Sequence, residues 1–395
     1  MIDIFILYRQ KQVLTAHRTV NDKMSNGDAN TVHISVDSLV DFPVYCTLID
    51  EVPPQLQRRD LTFDFKLEGS QQEQIQYALV PKTRGEYHFG QLRLLVSTSF
   101  RLVRRKVSIP QEQVVKVYPS YLKLKKFELI AFHTGHLEGG IKKTRKIGQQ
   151  KEFDQIKEYV AGDDYRTINW AATARQQNLM VNHYQDEKAQ QVYSLIDMGR
   201  SMKMPFNGMT LLDYAINATL VLLHIAHKKQ DSVGVVSFEK KVNTFLKAGR
   251  LSRQMKLVSD QLYHLDTGFH ESNMAEMSTL VRKKITHRSL LMLYTNFEHK
   301  ESLERNLPYL QVLAKRHVLV VVLFENSELN DLLEEEEDTK SALYRKGLIE
   351  QFSMDKRLIA KTLNQHGIHA VLTTPENLTV DTLNKYLALK ARGVI

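Results

Sequence analysis

The chain has 395 residues, of which 43% are hydrophobic and 25% carry a formal charge. This composition excludes a disordered chain, and the length predicts two domains, each with a sizeable core. The net charge of +9 arises from 54 basic and 45 acidic residues, so it is a bias toward anionic partners and disfavours a dedicated nucleic-acid binder.

Residues 1–8 form an apolar run that is followed by Arg9 and Lys11. The run fits either the last turns of a hydrophobic helix that reaches a basic membrane interface or a first β-strand. No basic region precedes it, so we expect neither a cleavable signal nor a transit peptide. Residues 1–20 are therefore assigned to the end of a membrane helix, or to a strand, with a connector behind it.

Residues 21–118 are assigned to one domain, in which residues 31–118 alternate between polar and apolar positions, as β-strands with one buried face do. Short runs bounded by Asp, Pro and Gly turns are typical of an immunoglobulin-like β-sandwich. These runs are 31–36, 44–49, 61–67, 74–80 and 114–118. The single cysteine, Cys46, excludes an internal disulfide and is expected to be a small core residue.

Residues 119–189 comprise a basic linker and a longer motif. The basic residues of the linker are Lys123, Lys125, Lys126, Lys142, Lys143, Arg145 and Lys146. They surround a pair of glycines at 139 and 140, which favours a solvated linker or lid. The same charges also permit contact with an acidic partner or with lipid phosphates.

Residues 190–395 alternate between strands and helical segments, which predicts a largely parallel sheet with helices on both faces. The predicted strands are 191–196, 232–238, 241–246, 288–295, 317–324 and 368–373. The predicted helices are 210–228, 250–265, 271–284, 300–316, 341–366 and 376–392. Only two residues separate 232–238 from 241–246, so these strands must form a hairpin at an antiparallel edge.

One loop of this second domain has the composition of a functional site. Asp197 ends an apolar strand, and Gly199, Arg200 and Ser201 follow it, at the strand end where open α/β sheets bind ligands.

The sequence contains no GxxxxGK[ST], GxGxxG, HExxH, GxSxG or paired CxxC motif. We therefore expect a protein that is not an enzyme.

The segment 152–184 carries the most specific motif of the chain. It contains an acidic-Phe start, a Tyr-x-x-Gly-Asp turn, an Arg-x-Ile-x-Trp helix from Arg166 and an Ala-Arg pair at Arg175. In this order it resembles the signature of the domain-of-unknown-function 58 (DUF58) family of bacterial proteins. The segments 83–87 and 115–119 resemble that family too, so the likeness covers nearly the whole chain.

The motif segment has two readings. Asp163 or Asp164 can cap a helix, on which Arg166 and Arg175 would face different sides. The segment is then either a structural clamp or a partner-binding surface that uses these arginines. We expect it to fold against the second domain. The apolar residues available for that packing are Ile168, Trp170, Leu179 and Val181.

The resemblance implies that the second domain is von Willebrand factor A-like. Such domains hold a divalent cation with Asp-x-Ser-x-Ser on the first loop, a Thr from a second loop and an Asp from a third. The corresponding residues here are Asp197, Ser201, Thr267 or Ser272, and Asn296 with Glu298 nearby. Gly199 lacks the middle hydroxyl and Asn296 lacks the charge, so Mg²⁺ or Mn²⁺ is expected to bind weakly.

Three outcomes remain open for this degenerate metal-ion-dependent adhesion site. It can bind a weak functional metal, serve protein contact as a vestigial loop, or only maintain the fold. Arg200 could also reach into the site and replace the cation, which would remove the need for a metal.

The resemblance also implies a cellular setting. Family proteins carry a hydrophobic hairpin before the sandwich and occur beside MoxR-type AAA+ ATPases. The expectation is therefore a non-enzymatic interaction or assembly factor at the bacterial inner membrane, with its soluble domains on the cytoplasmic face. The protein would be attached to the membrane by an N-terminal hydrophobic segment, which is truncated in this chain or missing from it. The alternative is a binder of nucleic acid or another anionic ligand through the basic linker.

Overall fold

The structure is a computed structural model that describes residues 2–58, 61–133, 151–160, 165–176, 178–186, 190–325 and 340–395. The linker residues 134–150 and the Gly162 to Asp164 turn of the motif lie outside the described residues. Predictions that concern them are therefore not addressed by the structure.

The N-terminal region is β-rich, and its sheets are consistent with a β-sandwich. Its strands are β1 (Leu14–Thr19), β2 (Lys23–Ser25), β3 (Asn30–Ser38), β4 (Val44–Asp50), β5 (Thr62–Leu67), β6 (Gln72–Leu79), β7 (Gly85–Phe89), β8 (Leu92–Ser97), β9 (Arg105–Ile109) and β10 (Gln113–Tyr118). They form sheets of order β1-β3-β6, β5-β4-β8-β9 and β2-β10-β7. Alternate residues of β3 and β4 are buried, as the sequence pattern predicted. Cys46 lies in this core, and burial raises the pKa of its thiol to about 12.

The first residues form a helix, α1 (Ile2–Tyr8), so the alternative of a first strand is wrong. Leu7 points into the sandwich core, whereas Phe5 and Tyr8 are exposed. The buried Asp3 carboxylate accepts the backbone N–H of Val103 at 3.1 Å, and this contact fixes α1 on the end of the sandwich. Among the described residues, no helix combines the length and the apolar character that a membrane span requires.

The motif segment is an antiparallel ribbon with a short helix and not one helix. β11 (Lys151–Glu158) pairs with β12 (Met180–Asp186), and α3 (Trp170–Gln176) lies between them. Asn169 determines this local structure, because its side chain accepts the N–H of Ala172 and donates to Asn182 on β12. The prediction that Arg166 and Arg175 share a helix is therefore wrong, since Arg166 lies in a separate 3-10 turn.

Of the four apolar residues expected to pack this ribbon against the second domain, two are exposed. Val181 is buried and pairs with Ile168 through an isolated bridge. Trp170 is 70% exposed and Leu179 is 48% exposed, so these two do not supply the buried surface that was expected of them. Within the segment, β11 pairs with β12 along their lengths.

The C-terminal region is one six-stranded sheet with helices on both faces. Its strands are β13 (Gln191–Asp197), β14 (Pro205–Phe206), β15 (Met209–Thr210), β16 (Ser232–Phe238), β17 (Val242–Gly249), β18 (Leu290–Tyr294), β19 (Val318–Phe324) and β20 (His369–Thr373). Its helices, after α2 (Leu124–His133), are α4 (Leu211–Lys228), α5 (Gln254–Tyr263), α6 (Met274–Lys284), α7 (Lys300–Ala314), α8 (Lys340–Gln365) and α9 (Leu378–Ala391). The large sheet has the order β17-β16-β13-β18-β19-β20, and the short β14 and β15 pair separately.

The sheet follows the predicted pattern closely. β13, β16, β18, β19 and β20 are parallel, and β17 is the antiparallel edge next to β16. Every residue of β18 and β19 is buried, which is why these strands read as unbroken apolar runs. Thr210 and Asp213 form a reciprocal capping box that starts α4. Because these strands run in the same direction, the loops after β13, β16 and β18 lie together at the carboxyl ends of the strands, which we call the carboxyl edge of the sheet.

Candidate functional site

Asp197 is the centre of the candidate site, at the carboxyl edge of the sheet. Its Oδ2 accepts the hydroxyl of Thr295, which follows β18, at 2.6 Å. Its Oδ1 accepts the backbone N–H of Gly199 at 2.8 Å and the hydroxyl of Ser272, which lies just before α6. One carboxylate therefore fixes three separate loops. We call this set of loops the edge site.

The side chain of Asp197 is 2% exposed. Burial raises the pKa of this carboxyl, and the neighbouring Glu239 carboxylate raises it further. The hydrogen bonds from Ser272, Thr295 and Gly199 lower the pKa in opposition. A buried carboxyl is costly unless its oxygens are hydrogen-bonded, so these three donors are what keeps Asp197 inside the fold.

Gly199 and Ser272 are complementary in space. A Cβ placed on Gly199 would lie 2.0 Å from the Ser272 Oγ, which is far inside contact distance. The hydroxyl of Ser272 thus occupies the space that a side chain at 199 would need. The middle hydroxyl missing from the first loop is supplied to Asp197 by the second loop.

The other predicted hydroxyls take different positions. Thr267 is buried, and its Oγ1 accepts the backbone N–H of Phe269 at 3.1 Å, so this hydroxyl serves its own loop. Ser201 is half-buried in a 3-10 turn, Arg200–Lys203. Of the two candidates on the second loop, the structure brings Ser272 to Asp197.

The third loop contains Asn296, which is buried, and Glu298, which is exposed. The ammonium of Lys356 on α8 donates to Asn296 Oδ1, and it also donates to the backbone carbonyl of Phe297 at 2.6 Å. Burial lowers the pKa of Lys356 to about 8, against the opposing effect of the Glu298 charge. A cation of the chain itself therefore lies at the third loop.

Sequence reasoning missed Lys356, although a signal for it exists. Along α8 the residues Ile349, Ile359 and Leu363 are buried. Lys356 follows the first by seven positions and precedes the others by three and seven, so it shares their face of the helix. A lysine in the apolar stripe of an amphipathic helix indicates a charge that the fold must satisfy internally.

Glu239 is a second buried carboxylate of the edge site that the sequence analysis did not single out. It follows β16 directly, and its Oε1 accepts the backbone N–H of His270 at 3.0 Å. Its backbone carbonyl accepts the N–H of Asn273. The strand-end rule that selected Asp197 would have selected Glu239 as well.

The prediction that Arg200 enters the site is wrong. Its guanidinium pairs with Glu271 at 3.2 Å, and both side chains are largely exposed. Arg175 lies exposed at the end of α3. The side chain of Arg166 lies outside the described residues, so its predicted role is not addressed.

Comparison with known proteins identifies part of this chain. Residues 155–333 match the family model described as "Protein of unknown function DUF58". This part of the chain is similar to the DUF58 family. "Uncharacterized protein YeaD" of Bacillus subtilis (strain 168) is 21% identical over 253 residues, which are 61% of this chain and 60% of the relative. The chain thus spans less than two thirds of the curated relative that it matches.

Two solved structures show weaker similarity. The conserved hypothetical protein BatB from Bacteroides thetaiotaomicron is 11% identical, with 52% of this chain and 99% of that chain covered at a TM-score of 0.34. The CARDB domain of a Pyrococcus furiosus protein is 12% identical, with 27% and 94% covered at a TM-score of 0.21.

The oxygen atoms around Asp197 do not fit a divalent cation while Lys356 holds Asn296. Mg²⁺ needs about six oxygen ligands with free lone pairs directed at it. Both oxygens of Asp197 already accept protein hydrogen bonds, and Asn296 Oδ1 accepts an ammonium. Within the described ranges, no group of three or more His, Cys, Asp or Glu side chains is placed to hold a metal ion.

Proposed function

We propose that this protein is a non-enzymatic interaction or assembly factor of the bacterial membrane, which binds a protein partner through the edge site. The partner proposed from the family resemblance is a MoxR-type AAA+ ATPase. The single observation that carries the proposal is that the buried Asp197 carboxylate fixes three loops at the ligand-binding edge of the sheet. A rigid set of loops is a suitable platform for recognition.

Phe269 is the proposed anchor of this contact. Its ring is 63% exposed, and its backbone has a φ of 68°, which is unfavourable for a residue with a Cβ. The N–H groups of Phe269 and His270 donate to Thr267 and Glu239, so the loop holds the ring outward. Lys203 lies over the ring at 5.4 Å. Strained backbone that presents an aromatic ring to solvent indicates binding.

We further propose a von Willebrand factor A-like fold for the C-terminal region. The support is the central position of β13, the single antiparallel edge strand and the collection of loops around Asp197. The DUF58 match overlaps this region up to residue 333.

The membrane part of the proposal is supported by the free end of the sandwich, which we call the tip. Its exposed apolar residues are Ile4, Phe5, Tyr8, Leu39, Phe100 and Leu102. Its basic residues are Arg9, Lys11, Arg101 and Arg104. α1 is tied to the β8–β9 loop by Asp3, which accepts from Thr98 and Val103. Apolar side chains surrounded by cationic ones match the surface of an anionic bilayer.

A direct binding measurement tests the function. The full chain is mixed with the MoxR-type ATPase of the same host, and capture is compared for the wild type, Phe269→Ala and Leu251→Ala. Leu251 is equally exposed, but it follows β17 and lies at the amino ends of the parallel strands, away from the edge site. It is therefore the matched control. We expect capture to fall at least about tenfold for Phe269→Ala alone. Equal capture by all three proteins would reject the edge site as the contact surface.

The alternative of an anionic-ligand binder uses the linker residues 134–150, which lie outside the described residues. Its test is a salt titration of binding to duplex DNA, because phosphate contacts weaken steeply with salt.

A further inference from the structure

Lys356 has a position that the proposed function does not explain. It comes from α8, some sixty residues beyond the third loop in sequence, and it is half-buried on the helix face that carries the buried Ile359 and Leu363. Its ammonium is not directed to solvent but donates to Asn296 Oδ1 and to the Phe297 carbonyl. Placing a cation there is costly in itself, so the contact calls for a reason.

Lys356 meets Asn296, which stands where the resemblance to von Willebrand factor A-like domains implies an aspartate. An aspartate at 296 beside Lys356 would form a buried ion pair, whereas Asn296 offers a neutral oxygen and leaves the positive charge uncancelled. Glu298 is the carboxylate whose charge acts on Lys356, and it is exposed. The neutral amide of Asn296 and the cation of Lys356 therefore form a donor and acceptor pair at this loop.

We propose that the Lys356 ammonium is the built-in cation of the edge site, so that the site does not use a divalent metal ion. Gly199, Ser272 and Thr295 donate three hydrogen bonds to Asp197, which leaves its carboxylate only about one of its roughly four acceptor sites. Asn296 Oδ1 already holds the ammonium, and a dication brought to that oxygen would be repelled by it. The inference rests on the proposed function only in treating this edge as the contact surface.

Manganese alone is the probe that tests this. Binding of Mn²⁺ to the full chain is followed by the electron paramagnetic resonance signal of the free ion, and Tm is followed during the same titration with Mn²⁺ and Mg²⁺. The variants are Lys356→Ala, which opens the space of the ammonium, and Lys356→Arg, which keeps its charge. Lys361→Ala is the control, since Lys361 is exposed on the same helix.

The wild type, Lys356→Arg and Lys361→Ala should show no Tm response in the millimolar range. Lys356→Ala should bind Mn²⁺ at least about tenfold more tightly than the wild type, because the repulsion between like charges is lost, and its Tm should rise with the ion. If the wild type gains Tm with Mn²⁺ and Asp197→Ala abolishes the gain, the inference is overturned. It is also overturned if Lys356→Ala folds but binds no Mn²⁺.

The wild-type and Lys356→Arg titrations decide the question even if Lys356→Ala fails to fold. The outcome is separate from that of the proposed function, because Phe269→Ala tests partner capture without involving the metal. If one of the two proposals fails its test, the other can therefore still be tested.

Discussion

At the scale of single residues, the edge site is organised by hydrogen bonds that satisfy one buried carboxyl. Asp197 receives donors from its own loop, from the loop before α6 and from the loop after β18. Leaving a buried charged group without such a donor costs more than an ordinary hydrogen bond is worth. The positions of Gly199 and Ser272 are consequently coupled, since the hydroxyl of one occupies the space beside the other.

This coupling predicts the effect of adding a side chain at position 199. Gly199→Ser should destabilise the protein by about 1–3 kcal/mol, because its Cβ would overlap the Ser272 Oγ. Ser272→Gly should also destabilise, because Asp197 loses a donor. The double variant should be more stable than the sum of the two single losses, since each change relieves the other. Urea unfolding of the four proteins measures the cycle, and strictly additive losses would show that the two positions are independent.

His317 gives a prediction about pH. It lies between α7 and β19, it is buried, and neither ring nitrogen has a hydrogen-bond partner among the described residues. Burial lowers its pKa below the ordinary 6.5, and the Arg316 charge lowers it further. Below pH 6.5 the unfolded chain therefore binds a proton that the folded chain refuses, and stability falls as the pH falls.

Replacing this histidine should flatten the acid side of the stability profile. When the pH is lowered from about 7.5 to about 5.5, the free energy of unfolding of His317→Leu should fall by about 1 kcal/mol less than that of the wild type. Urea unfolding at the two pH values measures the difference. His287→Leu is the control because His287 is exposed, and an equal flattening in both variants would exclude His317 as the origin.

At the scale of elements, the sequence predicted what depends on local periodicity. The helix α4 with its Thr210 and Asp213 cap, the hairpin of β16 with β17, and the buried β18 and β19 were all readable. The ribbon of β11 and β12 was not, because its order comes from pairing between residues as far apart as Lys151 and Asp186. The strand-end rule gave Asp197 and the family resemblance gave Asn296, whereas Lys356 depends on how α8 packs.

Sequence reasoning also missed several sandwich strands, among them β7 and β8. Their residues alternate as strongly as those of β3 and β4 once the structure shows which face is buried. They are, however, short and separated only by residues 90–91, so a local pattern cannot distinguish them from turns. The register with β4 and β10 supplies the missing information, and register is a property of the assembled sheets.

At the scale of the whole molecule, the sandwich has one occupied end and one free end. Arg84, from the 83–87 segment, donates to the Asp213 carboxylate at 2.8 Å and to the carbonyls of Leu262 and Leu265. Ser120 donates its N–H to Asn217 at 2.8 Å. These contacts join one end of the sandwich to the C-terminal region. The tip lies at the opposite end of the sandwich. The β8–β9 loop, which belongs to the tip, follows the end of β8 that pairs with the start of β4.

The tip therefore gives a prediction about lipid. The rings and chains of Phe100 and Leu102 are 69% and 80% exposed, and burying such side chains in a bilayer is worth about 1.5–3 kcal/mol each. Basic residues near an anionic surface add about 1 kcal/mol each, and salt weakens this part. The wild type should sediment with phosphatidylglycerol vesicles and much less with phosphatidylcholine vesicles.

The double variant Phe100→Ser with Leu102→Ser should lose most of this binding while keeping its Tm, because neither side chain belongs to the core. Leu251→Ser removes an equally exposed apolar residue from the C-terminal region and is the matched control. High salt should weaken the wild type but leave a residual apolar part, since Debye screening acts only on the charges. Equal sedimentation of the double variant and the control would show that the tip does not contact lipid. Release of the wild type by salt alone would assign binding to the basic residues without the apolar ones.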